Sequence, residues 1–218
     1  MVSSPDPVRR WLVHAGALDG PRADRVRLRM RGRIRVGAWP RFEATWEGDG
    51  RSFAWRARAG PGRLRPLRVV DRFADGLGSM DVRAGPRVRL VHAADEDTAR
   101  SGAGRAAVEG AIWAPPYVAD VAWRADGDEI VGAWDVGPER PEVRVSVDER
   151  GAVRSASVLR WHGADGYAAC GANVHAEHSF GTLALPSEVS VGWWFGTPRF
   201  APFFEAEVLE AEPVAERG

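Results

Sequence analysis

Residues 95–134 read DEDTARSGAGRAAVEGAIWAPPYVADVAWRADGDEIVGAW, and how they are read decides the fold. Asp95, Glu96 and Asp97 suit the positive end of a helix, and Pro115-Pro116 ends one. The spacing between them predicts a single helix over residues 95–113. Ala106, Ala107, Gly110 and Ala111 form a small face that permits close approach. Val108 and Ile112 lie on the opposite arc with Arg105, Glu109 and Trp113, the last three at four-residue spacing. Arg105 and Glu109 can pair, although arginine before glutamate is the weaker order. Beyond the prolines, Tyr117, Ala119, Val121 and Trp123 share a parity and predict a strand. The turn at Asp126-Gly127 then leads to Ile130, Gly132 and Trp134.

Upstream the chain is strand after strand. From Asp24 to Val36, Val26, Leu28, Met30, Gly32, Ile34 and Val36 alternate with Arg25, Arg27, Arg29, Arg31, Arg33 and Arg35. A two-residue period of this kind marks a strand with one buried and one wet face. The arginine face could bind phosphate. The plainer reading, favoured by the charge balance and by the lack of interleaved aromatics, is a solvated face neutralised by Glu43 and Glu47 or by Glu205 and Glu207. Phe42, Ala44 and Trp46 share the next face. After the Gly48-Asp49-Gly50 hairpin signal come Phe53, Trp55 and Ala57. Leu67, Val69, Asp71 and Phe73 then put a carboxylate on an apolar face, where it must be paired or line a wet cavity. Residues 76–82 and 88–92 add two shorter strands.

Downstream, Val143, Val145 and Val147, then Val153 to Trp161, Tyr167 to Ser179, Thr182 to Phe195 and Phe200 to Leu209 read as further strands. At the other end, Asp6 is placed to cap a short helix over residues 6–16, with Pro7 in its first turn and Gly16 at its stop. The expectation is therefore a mainly β (α+β) chain forming a single domain, 1–218. It would comprise an N-terminal helix within 1–20, strands over 24–93, the helix at 95–113, strands over 117–210 and a frayed polar tail, 211–218. Some 11–13 antiparallel strands with short turns argue one strongly curved sheet or half-barrel.

A chain of 218 residues is long enough to bury a core. Its 30 basic residues are all arginine and are matched by 30 acidic ones, so bulk charge steers it to neither nucleic acid nor an anionic membrane. One cysteine, Cys170, forbids an internal disulfide. No apolar run reaches signal or transmembrane length, and no hydrophobic stretch follows Arg9-Arg10. A cytoplasmic location without an integral membrane segment is the expectation.

Four sets of residues could carry chemistry. Arg105, Glu109 and Asp71 could hold an anionic headgroup at a cavity mouth, or could be an ion-pair network pinning helix to sheet. Cys170, Asn173, His175 and His178 suggest a thiol–histidine pair or a metal site with His162 or Glu177. However, Cys170 and His175 differ in parity, as do His175 and His178, so no catalytic or metal residue is assigned there. Gly102-Ala103-Gly104 lacks the third glycine and the Lys-Ser/Thr ending of a phosphate loop. The aromatic set of Phe42, Trp46, Phe53, Trp55, Trp123, Trp134, Trp161 and Trp193 fits the apolar parity of its strands. It could be plain core or the wall of a ligand cavity.

Four fragments are similar to a bacterial family, domain of unknown function 6544. They are WPRFEATWEGDGRSFAWRAR (39–58), VVDRFADGLGSMDV (69–82), RAAVEGAIWAPP (105–116) and GTLALPSEVSVGWW (181–194). Within and between them the resemblance rests on Trp39, Phe42, Trp55, Asp71, Gly78, Arg105, Glu109, Trp113, Trp123, Arg160, Pro186 and Trp193, among others. No activity comes with that family. The strand count and inserted helix also resemble periplasmic lipoprotein carriers, whose half-barrel wraps an apolar cavity, although this chain shows no export signal.

The reading is a non-enzymatic carrier or binding module for a hydrophobic or lipid-like small molecule, without a cofactor. Its site residues would be Trp46, Phe53, Trp55, Asp71, Arg105, Glu109, Trp113, Trp123, Arg160 and Trp193. Two alternatives remain: an enzyme on a hydrophobic substrate with Glu109 or Asp71 as general base, or an interaction domain with a filled core.

Overall fold

The computed structural model describes residues 6–18, 24–61 and 65–214. Helix α1 (Pro7–His14) is followed by β1 (Arg25–Ile34), β2 (Arg41–Gly48), β3 (Phe53–Gly60), β4 (Leu67–Ala74), β5 (Leu77–Ala84) and β6 (Val88–Ala93). Helix α2 (Glu96–Trp113) comes next. The chain ends in β7 (Arg124–Asp126), β8 (Glu129–Ala133), β9 (Glu142–Val147), β10 (Val153–Trp161), β11 (Tyr167–Phe180), β12 (Leu183–Trp193) and β13 (Ala201–Val214).

All thirteen strands form one open, curved antiparallel sheet in the order β6-β5-β4-β3-β2-β1-β13-β12-β11-β10-β9-β8-β7. The chain lays down one arm outward from β1 to its free edge at β6, and the second arm inward from the other free edge, β7, to β13. The two arms join where β1 pairs with β13, from Arg25 opposite Val214 to Ile34 opposite Phe204. The connection from one free edge to the other is α2. It touches β4 and β5 of the first arm and β9, β10 and β12 of the second, so it lies across the concave face.

The local signals explain both helices. Asp6 accepts from the Val8 N–H with Pro7 in the first turn of α1. Asp95 accepts from the Thr98 N–H at 2.8 Å and from its hydroxyl at 2.6 Å, with Glu96 and Asp97 in the first turn of α2. The small face of α2 then allows contact that a side chain would block. A Cβ placed on Gly110 would lie 2.2 Å from the Gly50 Cα in the β2–β3 hairpin. At its C-terminal end the helix is pinned to β12 by the Trp113 indole N–H, which donates to the Pro186 carbonyl at 3.2 Å.

The outer face of β1 is neutralised across its neighbours. Arg27 meets Glu47 and Glu212, Arg29 meets Glu210, Arg31 meets Glu207 and Arg33 meets Glu205. Glu43 is engaged elsewhere, with Arg65 at 2.9 Å. Exposed pairs of this kind contribute at most about 1 kcal/mol each, so they settle charge more than stability.

Two expected segments differ. Residues 117–123 are not a strand. Pro115–Tyr117 makes a 3-10 turn, continued by bonds from the Val121 N–H to the Val118 carbonyl and from the Trp123 N–H to the Val121 carbonyl. The chain leaves α2 with Trp113 buried and must turn to reach the sheet edge, where prolines offer no ladder donors. The expected tail from residue 211 is also ordered further than composition indicates. Residues 211–214 extend β13 because Ala211, Glu212, Pro213 and Val214 face Leu28, Arg27, Val26 and Arg25, and residues 215–218 lie outside the described residues.

Seating α2 this closely makes Gly110→Ala a sharp test. It should lower unfolding free energy in urea by about 1–3 kcal/mol through overpacking, and a variant as stable as the parent would place α2 elsewhere.

Candidate functional site

Between α2 and the concave face lies a hollow of about 470 Å³. The two-residue period builds its walls: Leu67, Val69 and Asp71 point inward from β4, Met80 and Val82 from β5, and Val189 and Val191 from β12. Val36, Leu90 and Val91 line it while remaining 63%, 54% and 44% exposed, so this end is its mouth. Its polar lining among the described residues is Asp71, Arg105, Glu109, Arg160 and Cys170.

Three of these form one network. Arg105 Nη1 donates to Asp71 Oδ2 at 2.6 Å, and Arg105 Nε donates to Glu109 Oε1 at 2.7 Å. The second Glu109 oxygen accepts from the Trp46 indole N–H at 2.6 Å. The guanidinium carbon sits 4.3 Å from the Phe53 ring centroid. All three charged side chains are 11–14% exposed. Burial works to lower the Arg105 pKa, but the charges of Glu109 and Asp71 outweigh it and raise it above the ordinary value, so Arg105 stays a cation. With both Glu109 oxygens accepting, that carboxylate is poorly placed to take a proton from a substrate. The geometry makes the trio a tie between α2, β2 and β4.

Arg160 differs. Its Nε donates to the Ser101 carbonyl at 2.9 Å and hydroxyl at 3.0 Å, and its guanidinium lies 5.3 Å from the Trp193 ring centroid. No carboxylate lies within ion-pair distance of it among the described residues. Arg160, Asp71 and Met80 also line a second hollow of about 340 Å³, which takes in Asp95, Asp97, Thr98 and His162 beside the start of α2. Arg160 therefore stands where the first hollow meets a second one, also mainly apolar but edged by Asp71, Asp95 and Asp97.

Of the expected site residues, Trp55, Asp71, Arg105, Glu109, Trp113 and Arg160 line the apolar hollow. Phe53 and Trp193 line the second hollow. Trp46 is fully buried behind the network and meets Trp113 edge-to-face at 5.6 Å. Trp123 packs away from the hollow, 4.9 Å from Trp11 and 5.6 Å from Trp134. The expected indole wall is thus mostly aliphatic: Trp123 and Trp134 pack together away from the hollow, their N–H groups donating to the Val118 and Gly50 carbonyls. Missed were Ile34, Val36, Leu67, Val69, Leu90, Val91, Phe203 and Phe204. Leu67 and Val69 shared the parity of Asp71, a signal that could have found them.

The thiol–histidine set is not brought together. Cys170 is buried in the hollow wall, while the His175 ring bonds the Ser190 hydroxyl at 2.9 Å and His178 packs on Phe180. Burial pushes the Cys170 thiol up, only partly offset by Arg160, so it is not a thiolate at neutral pH. Among the described residues no three His, Cys, Asp or Glu side chains are grouped to hold a metal ion. Gly102 and Gly104 lie within α2 and form no loop.

Fold and hollow define a class: an open antiparallel half-barrel embracing one helix, with an apolar pocket on its concave side. The chain belongs to the Family of unknown function (DUF6544), which matches residues 3–206. A solved structure of a DUF1329 family protein from Desulfovibrio piger is similar, with a TM-score of 0.49 at 9% identity over 97% of this chain and 93% of that one. So is one of a LolA superfamily protein from Nitrosomonas europaea, with a TM-score of 0.46 at 10% identity over 97% and 94%. No curated protein matches the sequence. No described helix is long and apolar enough to cross a membrane.

Two outcomes are expected of this site. Arg105→Ala should cost about 3–5 kcal/mol in chemical unfolding because it strands two carboxylates. Replacing the trio together, as Arg105→Met, Asp71→Asn and Glu109→Gln, should recover much of that loss. Iodoacetamide should label Cys170 far more slowly in native than in unfolded protein, followed by mass spectrometry; equal rates would contradict its burial.

Proposed function

We propose that the protein is a binding module for an anionic amphiphile, its apolar chain or rings in the hollow and its acidic head at Arg160. The observation that carries this reading is a guanidinium without a carboxylate within ion-pair distance among the described residues, held where two hollows meet. A volume of about 470 Å³ lies within the range of small-molecule pockets, roughly 300–1,000 Å³. Aliphatic walls suit a flexible chain or a fused ring and specify neither shape nor hydrogen-bond pattern. Arg105 already has its charge paired with Asp71 and Glu109, which leaves Arg160 the better headgroup anchor.

The hollow is also the reason to set aside an interaction domain with a filled core. A carrier reading needs this volume to stay open when empty. The frame of sheet and pinned helix supports that, since the walls come from strands of both arms and α2 is tied to β4 by Arg105–Asp71 and to β12 by Trp113–Pro186.

A fluorescent fatty-acid probe should bind and quench emission from Trp55 and Trp113. Arg160→Gln should weaken the carboxylate probe by about tenfold or more and the matching alcohol little. Val69→Trp, which fills the hollow, should abolish both. Equal loss of acid and alcohol in Arg160→Gln would remove the anchor, and undiminished binding in Val69→Trp would remove the site.

A further inference from the structure

The outer face of β3–β6 carries a charge arrangement found nowhere on β1. Strand register puts Arg58 opposite Arg68, Arg68 opposite Arg83 and Arg83 opposite Arg89, four arginines side by side across four strands. Arg56 and Arg72 face the same way, with Arg56 opposite Val70 and Arg72 opposite Ser79. Against them stand two carboxylates, Asp81, which Arg83 and Arg89 share at 2.6 and 2.9 Å, and Glu43 of β2, which lies opposite Arg58 in register and pairs with Arg65 at 2.9 Å. Arg56, Arg58, Arg68 and Arg72 are exposed and have no carboxylate within ion-pair distance among the described residues. Like charges directly opposite on a sheet destabilise it, so this row works against folding unless an anion faces it. On β1, by contrast, the neighbouring strands supply a glutamate to Arg27, Arg29, Arg31 and Arg33.

The same end of the sheet carries exposed aliphatic side chains. The row Arg58–Arg68–Arg83–Arg89 lies, one residue over and on the opposite face, beside the row Ala59–Leu67–Ala84–Val88 at the mouth of the hollow. At that mouth Val36 is 63% exposed and Leu90 54%; Val88, on the same strand as Leu90, is 54% exposed, and Trp39, shortly after Val36 in the chain, is partly exposed with Arg33 against its ring. Val70 is exposed amid the arginines.

From these two features together we infer that this end of the half-barrel docks on an anionic lipid bilayer. The aliphatic rim and Trp39 enter the interface, and the arginine row meets lipid phosphates. Stable peripheral attachment takes two signals, an apolar insertion and a basic patch, and both are present at one end. A nucleic acid would want aromatic platforms between the arginines, and this face has aliphatic ones. A second copy of the chain paired edge to edge at β6 would set Arg89 against its own kind. Docking so would also set the hollow's mouth against the bilayer, a path for an amphiphile that avoids water. The docking surface itself stands on register and exposure, whatever fills the hollow.

The test is co-sedimentation of the full chain with vesicles of phosphatidylcholine alone or with phosphatidylglycerol. The protein should bind the anionic vesicles, lose binding as salt rises, and bind the neutral ones weakly. Arg58→Glu with Arg68→Glu should reduce anionic-vesicle binding by at least about tenfold, with circular dichroism and fatty-acid probe binding unchanged. An equal charge change on the other arm, Arg140→Glu with Arg150→Glu, should leave it within about twofold. Val36→Ser with Leu90→Ser should weaken it several-fold without altering its salt dependence. Indifference to phosphatidylglycerol, equal loss in both arginine pairs, or binding to duplex DNA or to a second copy without binding to vesicles would overturn the inference. Loss of probe binding with vesicle binding intact would overturn the carrier reading and leave this one standing.

Discussion

Arg105 is the point on which the structure turns. Helix α2 joins the two free edges of one sheet, so it must cross the concave face, and a helix in that position has to be held both close and in register. Closeness comes from Gly110 against Gly50, where no side chain fits between the backbones. Register comes from one guanidinium that meets Asp71 of β4 and Glu109 of its own helix, with Trp46 of β2 closing the second carboxylate. A buried ion pair of this kind adds little to stability over an apolar substitute, and its value lies in permitting one arrangement. Held at its C-terminal half, α2 leaves the space beside its outer arc unfilled, and that space is the hollow.

Charge follows a similar logic of position over composition. The whole chain is neutral, and the arginine-rich β1, which looks most like an anion-binding strand, is neutralised mainly by glutamates of β13, far away in sequence but adjacent in space. The uncompensated arginines sit instead on β3 and β4, where the alternation in sequence is less regular. The arginines of β1 and those of β3 and β4 thus differ in electrostatic character because their neighbours differ. The same holds inside the hollow: Arg105 and Arg160 both line it, and only the first has its carboxylates.

Much of the fold was legible because a two-residue period is a local property. Val26 to Val36, Val153 to Trp161 and Tyr167 to Ser179 became strands close to their expected bounds, and Asp95 with Pro115 bracketed α2. Asp71 on an apolar face announced a partner, and Arg105 was a candidate for it. What parity does not carry is which of the inward residues meet each other. Trp46 and Trp123 have the pattern of cavity lining and are core, whereas Leu67 and Leu90 look ordinary and line the opening. An indole's burial depends on the surface opposite it, and that surface can come from an element more than a hundred residues away, as with Trp11 and Trp123.

The amino-acid order by itself determined the elements: strands from alternation, helices from caps and small residues, and the need for Asp71 to be paired or to line a wet cavity, since each follows from neighbours within a few positions. Only the tertiary structure decided that the arms join at β1 and β13, that Arg105 is committed while Arg160 is not, and that four arginines stand in one row. Those outcomes depend on register between strands far apart in the chain, where a shift of two residues would keep every local pattern and change every partner.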